Sequence, residues 1–301
     1  MNPMHLAVAF DQNYTRHFYA LAASIFDNNR ANRIVFHCIF TGLSDRQKEN
    51  IRKYLERNNS EVRYYEVDEA FVSRFVLTSN WTPAAYYRLF FPALVGQDVG
   101  KLLYLDTDTI VVDDLAPLFC CDLEGYPVGA VEDNLVKTAP QLGILEEGNY
   151  FNSGMMLMNI PVWKEQRVSE QVFEYISKYP ERINYVDQCG LNAVLINRWK
   201  KLDWRFNVIH SRIPEAMTKR QRNEFLKNKV IFHFTRDRPW NMLCRNPYRD
   251  LYHKYLLQSP FQGKVYEDYS IMKTPQFLKI KATEMYFELP LVQRIWRRIK
   301  H

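Results

Sequence analysis

The sequence predicts an α/β domain built around a mainly parallel sheet. Residues 4–67 alternate strand, helix, strand, helix and strand patterns. Two acids, Asp106 and Asp108, directly follow a short buried strand at 101–105, and open α/β sheets bind ligands beyond the carboxyl ends of their strands. The length, 301 residues, suits one large domain or one domain with a small appendage.

Each element follows from its residues. MHLAVAF at 4–10 is an apolar run ended by Asp11, hence a buried strand. Residues 15–28 (TRHFYALAASIFDN) space their apolar side chains near the helical period. RIVFHCIF at 33–40 is β-branched and aromatic, a second strand. Ser44 with Gln47 three places on forms a capping-box start, so a charged helix covers 44–58. EVRYYEV at 61–67 alternates as a third strand. Residues 82–94 read as a helix that Pro92 ends. KLLYL at 101–105, PVGAV at 127–131 and SGMMLM at 153–158 read as strands. Helices follow at 161–178 and 187–198, with Asp187 a candidate N-cap, and KVIFHF at 229–234 is a late strand.

Composition narrows the class. A net charge of +6 suits an anionic ligand or an acidic membrane surface, and without a zinc-finger spacing, an RNP-like motif or a dense basic helix in the body it does not point to nucleic acid. The five cysteines are odd in number and contain no C-x-x-C, which argues against a disulfide framework and a structural zinc site and fits a reducing compartment. The apolar segment at 4–10 is too short for a signal-peptide core, and no apolar run reaches the roughly 18 residues of a membrane span. The expected location is the cytoplasm, free or on the inner face of a membrane.

After about Tyr266 the chain changes character. PLVQRIWRRIKH at 290–301 holds four Lys/Arg and no acid, with Leu291, Ile295, Trp296 and Ile299 near one helical face. That is the composition of a helix lying in a membrane interface. A basic terminal helix that docks on the body or frays is the other reading.

The acid pair carries the chemistry. Two carboxylates one residue apart at a strand mouth can both reach one hard divalent cation. A loop start with capping acids has the same pattern, and Glu66/Asp68 and Asp122/Glu124 share the spacing without an evident role. His233 stands among apolar residues in VIFHFT, where a satisfied core histidine and a metal ligand are both open. An oxygen, oxygen, nitrogen set would suit Mn²⁺ better than Mg²⁺. No glycine-rich phosphate loop occurs, so a phosphate-bearing ligand would need the metal and cations such as Arg88, Arg236 or Arg238. Further polar residues stand among apolar ones: Asp11, Asn13 and Tyr14 after the first strand, Asp133 after PVGAV, Asn152-Ser153-Gly154 before MMLM, and Asp187-Gln188. Singly, each also reads as a turn or cap. No G-x-S-x-G elbow is present, so acyl transfer has no support.

Seven segments in order resemble glycosyltransferase family 8, the retaining GT-A enzymes, and within it the bacterial lipopolysaccharide α-galactosyltransferase branch. They are AVAFDQNY (7–14), YYRL (86–89), LLYLDTDTIV (102–111), GAVED (129–133), YFNSGMMLMNI (150–160), YVDQCGLN (185–192) and HFTRDRPW (233–240). The resemblance implies a Rossmann-like GT-A catalytic domain over 1–262 and a basic, aromatic extension over 263–301. It implies that Ala9, Asp11, Asn13 and Tyr14 bind uracil and ribose. Asp106, Asp108 and His233 would hold Mn²⁺, or Mg²⁺, against the diphosphate of UDP. Arg88, Asp133, Asn152, Asp187 and Gln188 would surround the sugar, with Thr107, Ser153, Arg236 and Arg238 completing the donor site.

Two departures stand out. The family's late motif is commonly H-x-x-G-x-x-K-P-W; here it is one residue shorter, Arg236 stands near the Gly and Arg238 replaces the Lys, which keeps the charge but not the geometry. Cys189 stands where Asp often follows the D-Q pair. The implied reaction moves galactose or glucose from UDP to a glycan or lipid-linked acceptor and forms an α-linkage. Gln188 is a neutral amide and a poor nucleophile, and Asp187 is the carboxylate beside it. That favours front-face attack with Gln188 as an electrostatic stabiliser. Two rival readings are a self-glucosylating primer like glycogenin and a non-catalytic nucleotide-sugar-binding protein.

Overall fold

The computed structural model describes residues 3–72, 74–75, 83–214, 217–261, 263 and 265–288. The first half runs β1 (Met4–Asp11), α1 (Thr15–Asn28), β2 (Ile34–Thr41), α2 (Asp45–Arg57), β3 (Ser60–Tyr65), α3 (Glu69–Val72), a 3₁₀ segment Pro83–Leu89, α4 (Phe91–Leu94), β4 (Lys101–Leu105), β5 (Thr109–Val111) and α5 (Ala116–Phe119). Then come β6 (Val128–Glu132), β7 (Phe151–Asn159), α6 (Ile160–Glu165), α7 (Val168–Lys178), α8 (Val186–Val194), β8 (Lys200–Lys201), α9 (Lys219–Leu226), β9 (Ile231–His233), α10 (Arg249–Gln258) and α11 (Thr274–Glu288).

Seven strands form the main sheet in the order β3-β2-β1-β4-β7-β6-β8. The first three strands and β4 are parallel, as the alternating pattern requires, whereas β7 pairs antiparallel with both β4 and β6. A separate pair, β5 with β9, is antiparallel and sets Thr109 opposite His233. The expected sheet is therefore present, with one antiparallel strand, β7, set between β4 and β6.

The two-residue period of β1 builds a core on each side. Leu6, Val8 and Phe10 join Phe18, Leu21 and Ile25 of α1 and Ile51 and Leu55 of α2. Ala7 and Ala9 face the other way, with Tyr104, Met156, Tyr86, Trp163 and Val172. Layers of helices on both faces of a sheet are the α/β architecture that the sequence predicts.

Ser44 and Gln47 form the expected capping box. Three local expectations change. Residues 83–89 are 3₁₀ rather than α-helical, and Pro92 sits in the first turn of α4 instead of ending a helix. The helix expected over 161–178 is two, broken at Arg167, which takes a left-handed φ of 51°. Helix α8 begins at Val186, so Asp187 lies inside its first turn and is not the N-cap, which is Tyr185.

The segment that follows the body is fastened to it. Arg16 bonds the Val265 carbonyl and Glu267, the Glu267 amide bonds the Trp240 carbonyl, and Arg249 pairs with Glu284 at 2.6 Å. Arg222 pairs with Glu288. The basic helix expected at 290–301 lies outside the described residues. Among the described residues, no helix is long and apolar enough to cross a membrane.

Candidate active site

The main sheet opens a cleft of about 440 Å³ at the carboxyl ends of β1 and β4. Its floor is the turn Asp106–Thr109. The Thr109 amide and hydroxyl both bond the Asp106 carbonyl, at 3.2 and 2.7 Å. Neighbouring strands hold this turn from outside: the Asp106 amide donates to the Gly154 carbonyl on β7, and the Phe234 amide donates to the Asp108 carbonyl. Because β9 pairs with β5, His233 comes beside the two acids, 125 residues on from Asp108.

One ligand atom from each of Asp106, Asp108 and His233 lies within 4.8 Å of the others. His233 Nε2 is 3.1 Å from Asp108 Oδ1 and 3.8 Å from Asp106 Oδ2. Asp108 Oδ1 is buried and has the His233 ring nitrogen as its polar neighbour, so its charge needs a cation there, a protonated imidazole or a metal ion. Gly154 leaves the needed room: a Cβ there would lie 2.2 Å from His233 Cε1 and 2.6 Å from Asp106 Oδ2. Two carboxylate oxygens, one imidazole nitrogen and open positions suit a divalent ion that also binds phosphate. The three residues therefore fit a metal.

Gly154 stood in a polar cluster of the sequence but carried no role there; a glycine inside a strand was the available signal. Substituting Gly154→Ala should push His233 off Asp106 and lower turnover by about 10²-fold, the cost of an ångström-scale misplacement. Wild-type turnover in that variant, with its Tm unchanged, would remove the glycine from the site.

Burial raises the cost of charge on both Asp108 and His233, and their pairing outweighs it. Desolvation pushes the Asp108 carboxyl up, but His233 and Arg238 hold it below the ordinary range. Desolvation likewise favours neutral His233, yet Asp108 and then Asp106 hold it above 6.5. A metal on Nε2 requires that proton to leave. Calorimetric titration with Mn²⁺ near neutral pH, in buffers of different ionisation heat, should show a proton released, and affinity should fall as the pH drops through the His233 value. Uptake without proton release would show that His233 is not a ligand.

One wall of the cleft is an ion-pair ladder. Arg88, 3% exposed, donates from Nη2 to Asp106 at 2.9 Å, lies 3.1 Å by Nε from Asp187 Oδ2, and bonds the Ser153 carbonyl and hydroxyl through Nη1. Burial pushes the Asp187 carboxyl up to about 6 even with Arg88 opposing it. Gln188 Oε1 accepts from the Ser153 amide at 3.0 Å, and its Nε2 faces Asp133 Oδ2 at 3.3 Å. Val186, which starts this helix, has φ 29°, a strained value for a β-branched residue and one that clusters at functional sites.

The other wall carries Ala9 and Asp11 from the end of β1 and Tyr14 from the 3₁₀ turn that follows, with Arg236 and Arg238 from the late loop; Thr107 also lines the cleft. Arg238 Nη1 donates to the Tyr14 hydroxyl at 3.1 Å. Asn13 is the predicted residue left off the lining: it is exposed, and its amide caps Asp11 Oδ1 at 2.8 Å. Cys189 is buried behind Gln188, 3.7 Å from the Tyr150 hydroxyl, and off the cleft wall. Asn207, which the sequence did not single out, is fully buried with its carboxamide oxygen 3.1 Å from His233 Nδ1.

The family model described as glycosyl transferase family 8 matches residues 5–244. The chain belongs to glycosyl transferase family 8. General stress protein A of Bacillus subtilis is 30% identical, over 84% of this chain and 93% of its own length. The lipopolysaccharide 1,2-glucosyltransferase of Escherichia coli K12 is 25% identical, over 86% and 79%. Among solved structures, the galactosyltransferase LgtC, crystallised with donor and acceptor sugar analogues, superposes with a TM-score of 0.76 at 22% identity, covering 87% of this chain and 98% of LgtC. The fold is that of LgtC, GT-A, as the sequence predicted. This family 8 member is thus a glycosyltransferase, and its Asp106/Asp108/His233 set fits a divalent ion.

Proposed function

We propose that the enzyme moves galactose or glucose from a UDP-sugar to a glycan or lipid-linked acceptor, with retention of anomeric configuration and with Mn²⁺ as the ion. The observation that carries this reading is the convergence of Asp106, Asp108 and His233 at the floor of a cleft. Arg236, Arg238 and Tyr14 line one side of that cleft, and the Arg88–Asp187–Gln188 wall lines the other. The likeness to a glucosyltransferase and a galactosyltransferase supports both donor sugars.

When bound, the ion supplies a Lewis acid that offsets charge on the leaving diphosphate. The chain does the rest. Asp106 and Asp108 supply anionic oxygens, and Arg88 fixes Asp106 so that it cannot swing away. Arg236 and Arg238 replace a glycine-rich phosphate loop as fixed positive charge near the diphosphate. Ala9, Asp11 and Tyr14 receive uracil and ribose, with Tyr14 offering a flat face for the base. Asp133, Asn152 and Gln188 offer hydrogen bonds to sugar hydroxyls.

The anomeric carbon gains oxocarbenium character as the diphosphate leaves. Asp187 Oδ2 is already held by Arg88 Nε and the Ser153 hydroxyl, and the side chain is 2% exposed. That arrangement supports front-face attack by the acceptor, with Gln188 as stabiliser. A covalent glycosyl adduct trapped on Asp187 would overturn it.

Incubation with UDP-galactose or UDP-glucose, Mn²⁺ and sugar acceptors, with linkage analysis by NMR, tests the whole reading. An α-linked product is expected. A β-linked product, or no turnover with any nucleotide sugar, would sink it, and intact-mass measurement would reveal self-glucosylation instead.

The division into a catalytic body, 1–262, and an extension, 263–301, belongs to the same proposal, as does attachment to an anionic inner membrane face. Exposed Tyr269, Ile271, Met272, Leu278 and Met285 on the extension support it. Deleting residues 290–301 should lower binding to anionic vesicles and leave hydrolysis of soluble donor intact. Equal vesicle binding by both forms would favour a tail docked on the body.

A further inference from the structure

We propose that Asn207 is a positioning residue that sets the tautomer of His233 and ties the metal site to the sugar-binding wall. The inference rests on the reading of Asp106, Asp108 and His233 as a metal site. It comes from a chain of side-chain amides whose direction is fixed by two backbone donors.

The first fixed point is the Gly154 amide, which can only donate. It bonds Asn152 Oδ1 at 3.1 Å, so the oxygen of that carboxamide faces it. The same oxygen receives Asn207 Nδ2 at 2.9 Å, which turns Asn207 Oδ1 toward His233. Asn207 Oδ1 is 3.1 Å from His233 Nδ1 and can only accept, so Nδ1 carries the proton. Nε2 is then left as the lone-pair nitrogen, on the side of Asp108.

The second fixed point is the Ser153 amide, which donates to Gln188 Oε1 at 3.0 Å. Asn152 Nδ2 points the same way, 3.3 Å from Gln188 Oε1 and 3.4 Å from Asp133 Oδ2. The polarity therefore runs without reversal from the His233 ring to Gln188. Asn207 is 0% exposed, so water does not substitute for it. The main chain reinforces the arrangement, since the His233 amide donates to the Val208 carbonyl at 3.1 Å.

Two substitutions separate the halves of this role. Asn207→Leu keeps the volume and removes both bonds. Asn207→Asp keeps an acceptor for Nδ1–H but places a lone pair against Asn152 Oδ1. With Mn²⁺ as the probe, read by calorimetry and by electron paramagnetic resonance, Asn207→Leu should bind about 10- to 100-fold more weakly, the usual cost of losing the partner of a metal-bound imidazole. Asn207→Asp should bind at least as tightly as wild type, yet lose donor turnover through the disturbed Asn152–Gln188 wall. A residue that served packing alone would lower Tm in both variants and leave the Mn²⁺ constants equal.

His233→Ala is the control for the underlying reading. If it loses Mn²⁺ while Asn207→Leu keeps the wild-type constant, the metal site stands and this inference fails. If His233→Ala binds as wild type does, both fail. A measurement on the unsubstituted protein guards against variants that do not fold. At about pH 8.5, well above the ordinary histidine range, long-range nitrogen NMR of the metal-free protein should show His233 protonated on Nδ1. A His233 ring with no proton on Nδ1 would overturn the proposal.

Discussion

Replacing Arg88 by methionine should destabilise the fold by about 3–5 kcal/mol, the cost of leaving buried charge without its partner. Arg88 stands between Asp106 and Asp187, and both carboxylates lose their cation at once. The deficit should also depend on pH. Asp187 already titrates at about 6, above its ordinary 3.8, because burial disfavours its charge and Arg88 offsets only part of that. A carboxyl raised in the folded state binds more protons there than in the unfolded chain, so stability falls as pH rises toward the folded value. Without Arg88 that value moves higher, and the loss extends through neutral pH. Urea midpoints at roughly pH 5 and pH 8 should therefore diverge more in Arg88→Met than in wild type. Parallel midpoints would show that Arg88 does not hold the charge on Asp187.

Asp108→Asn should leave the fold and remove the reaction. The amide keeps the shape of the carboxylate and one oxygen but not the charge that faces His233 at 3.1 Å. The buried His233 loses its charge partner, which costs stability of about 1–3 kcal/mol, while the amide keeps the shape of the site and the fold. Turnover should fall about 10³-fold or more, because charge stabilisation at the leaving group depends on a correctly held ion. Turnover and Mn²⁺ dependence like those of wild type would dismiss the metal assignment. The two substitutions thus probe one site through different quantities, folding for Arg88 and catalysis for Asp108.

Much of the scaffold was legible because local pattern and tertiary context agree. The alternation through β3 and the Ser44/Gln47 box needed no distant partner to be read. The misreadings have physical causes. PAAYYRL has apolar spacing compatible with either helix type over two turns, and packing rather than pattern makes it 3₁₀. The break at Arg167 has no Gly or Pro to announce it. The antiparallel direction of β7 leaves no trace, because FNSGMMLMN is buried on both faces.

At the site, the acids and the histidine carry recognisable chemistry, and the fold brings all three together. Asn207 follows Trp-Arg-Phe in an unremarkable loop, and only the fold reveals that it faces His233. Gly154 shows its purpose only when two side chains from other segments are set against it.

The pairing of β5 with β9 has a consequence for synthesis. The chain emerges from its N-terminus, and domains fold in that order. A nascent chain that ends before residue 233 carries both acids but lacks the imidazole and the strand that aligns them. On the proposed metal reading, full affinity for the ion arises only once residue 233 has been made. Products that stop short of His233 would hold the ion weakly on that reading, so metal retention would tell them from longer chains.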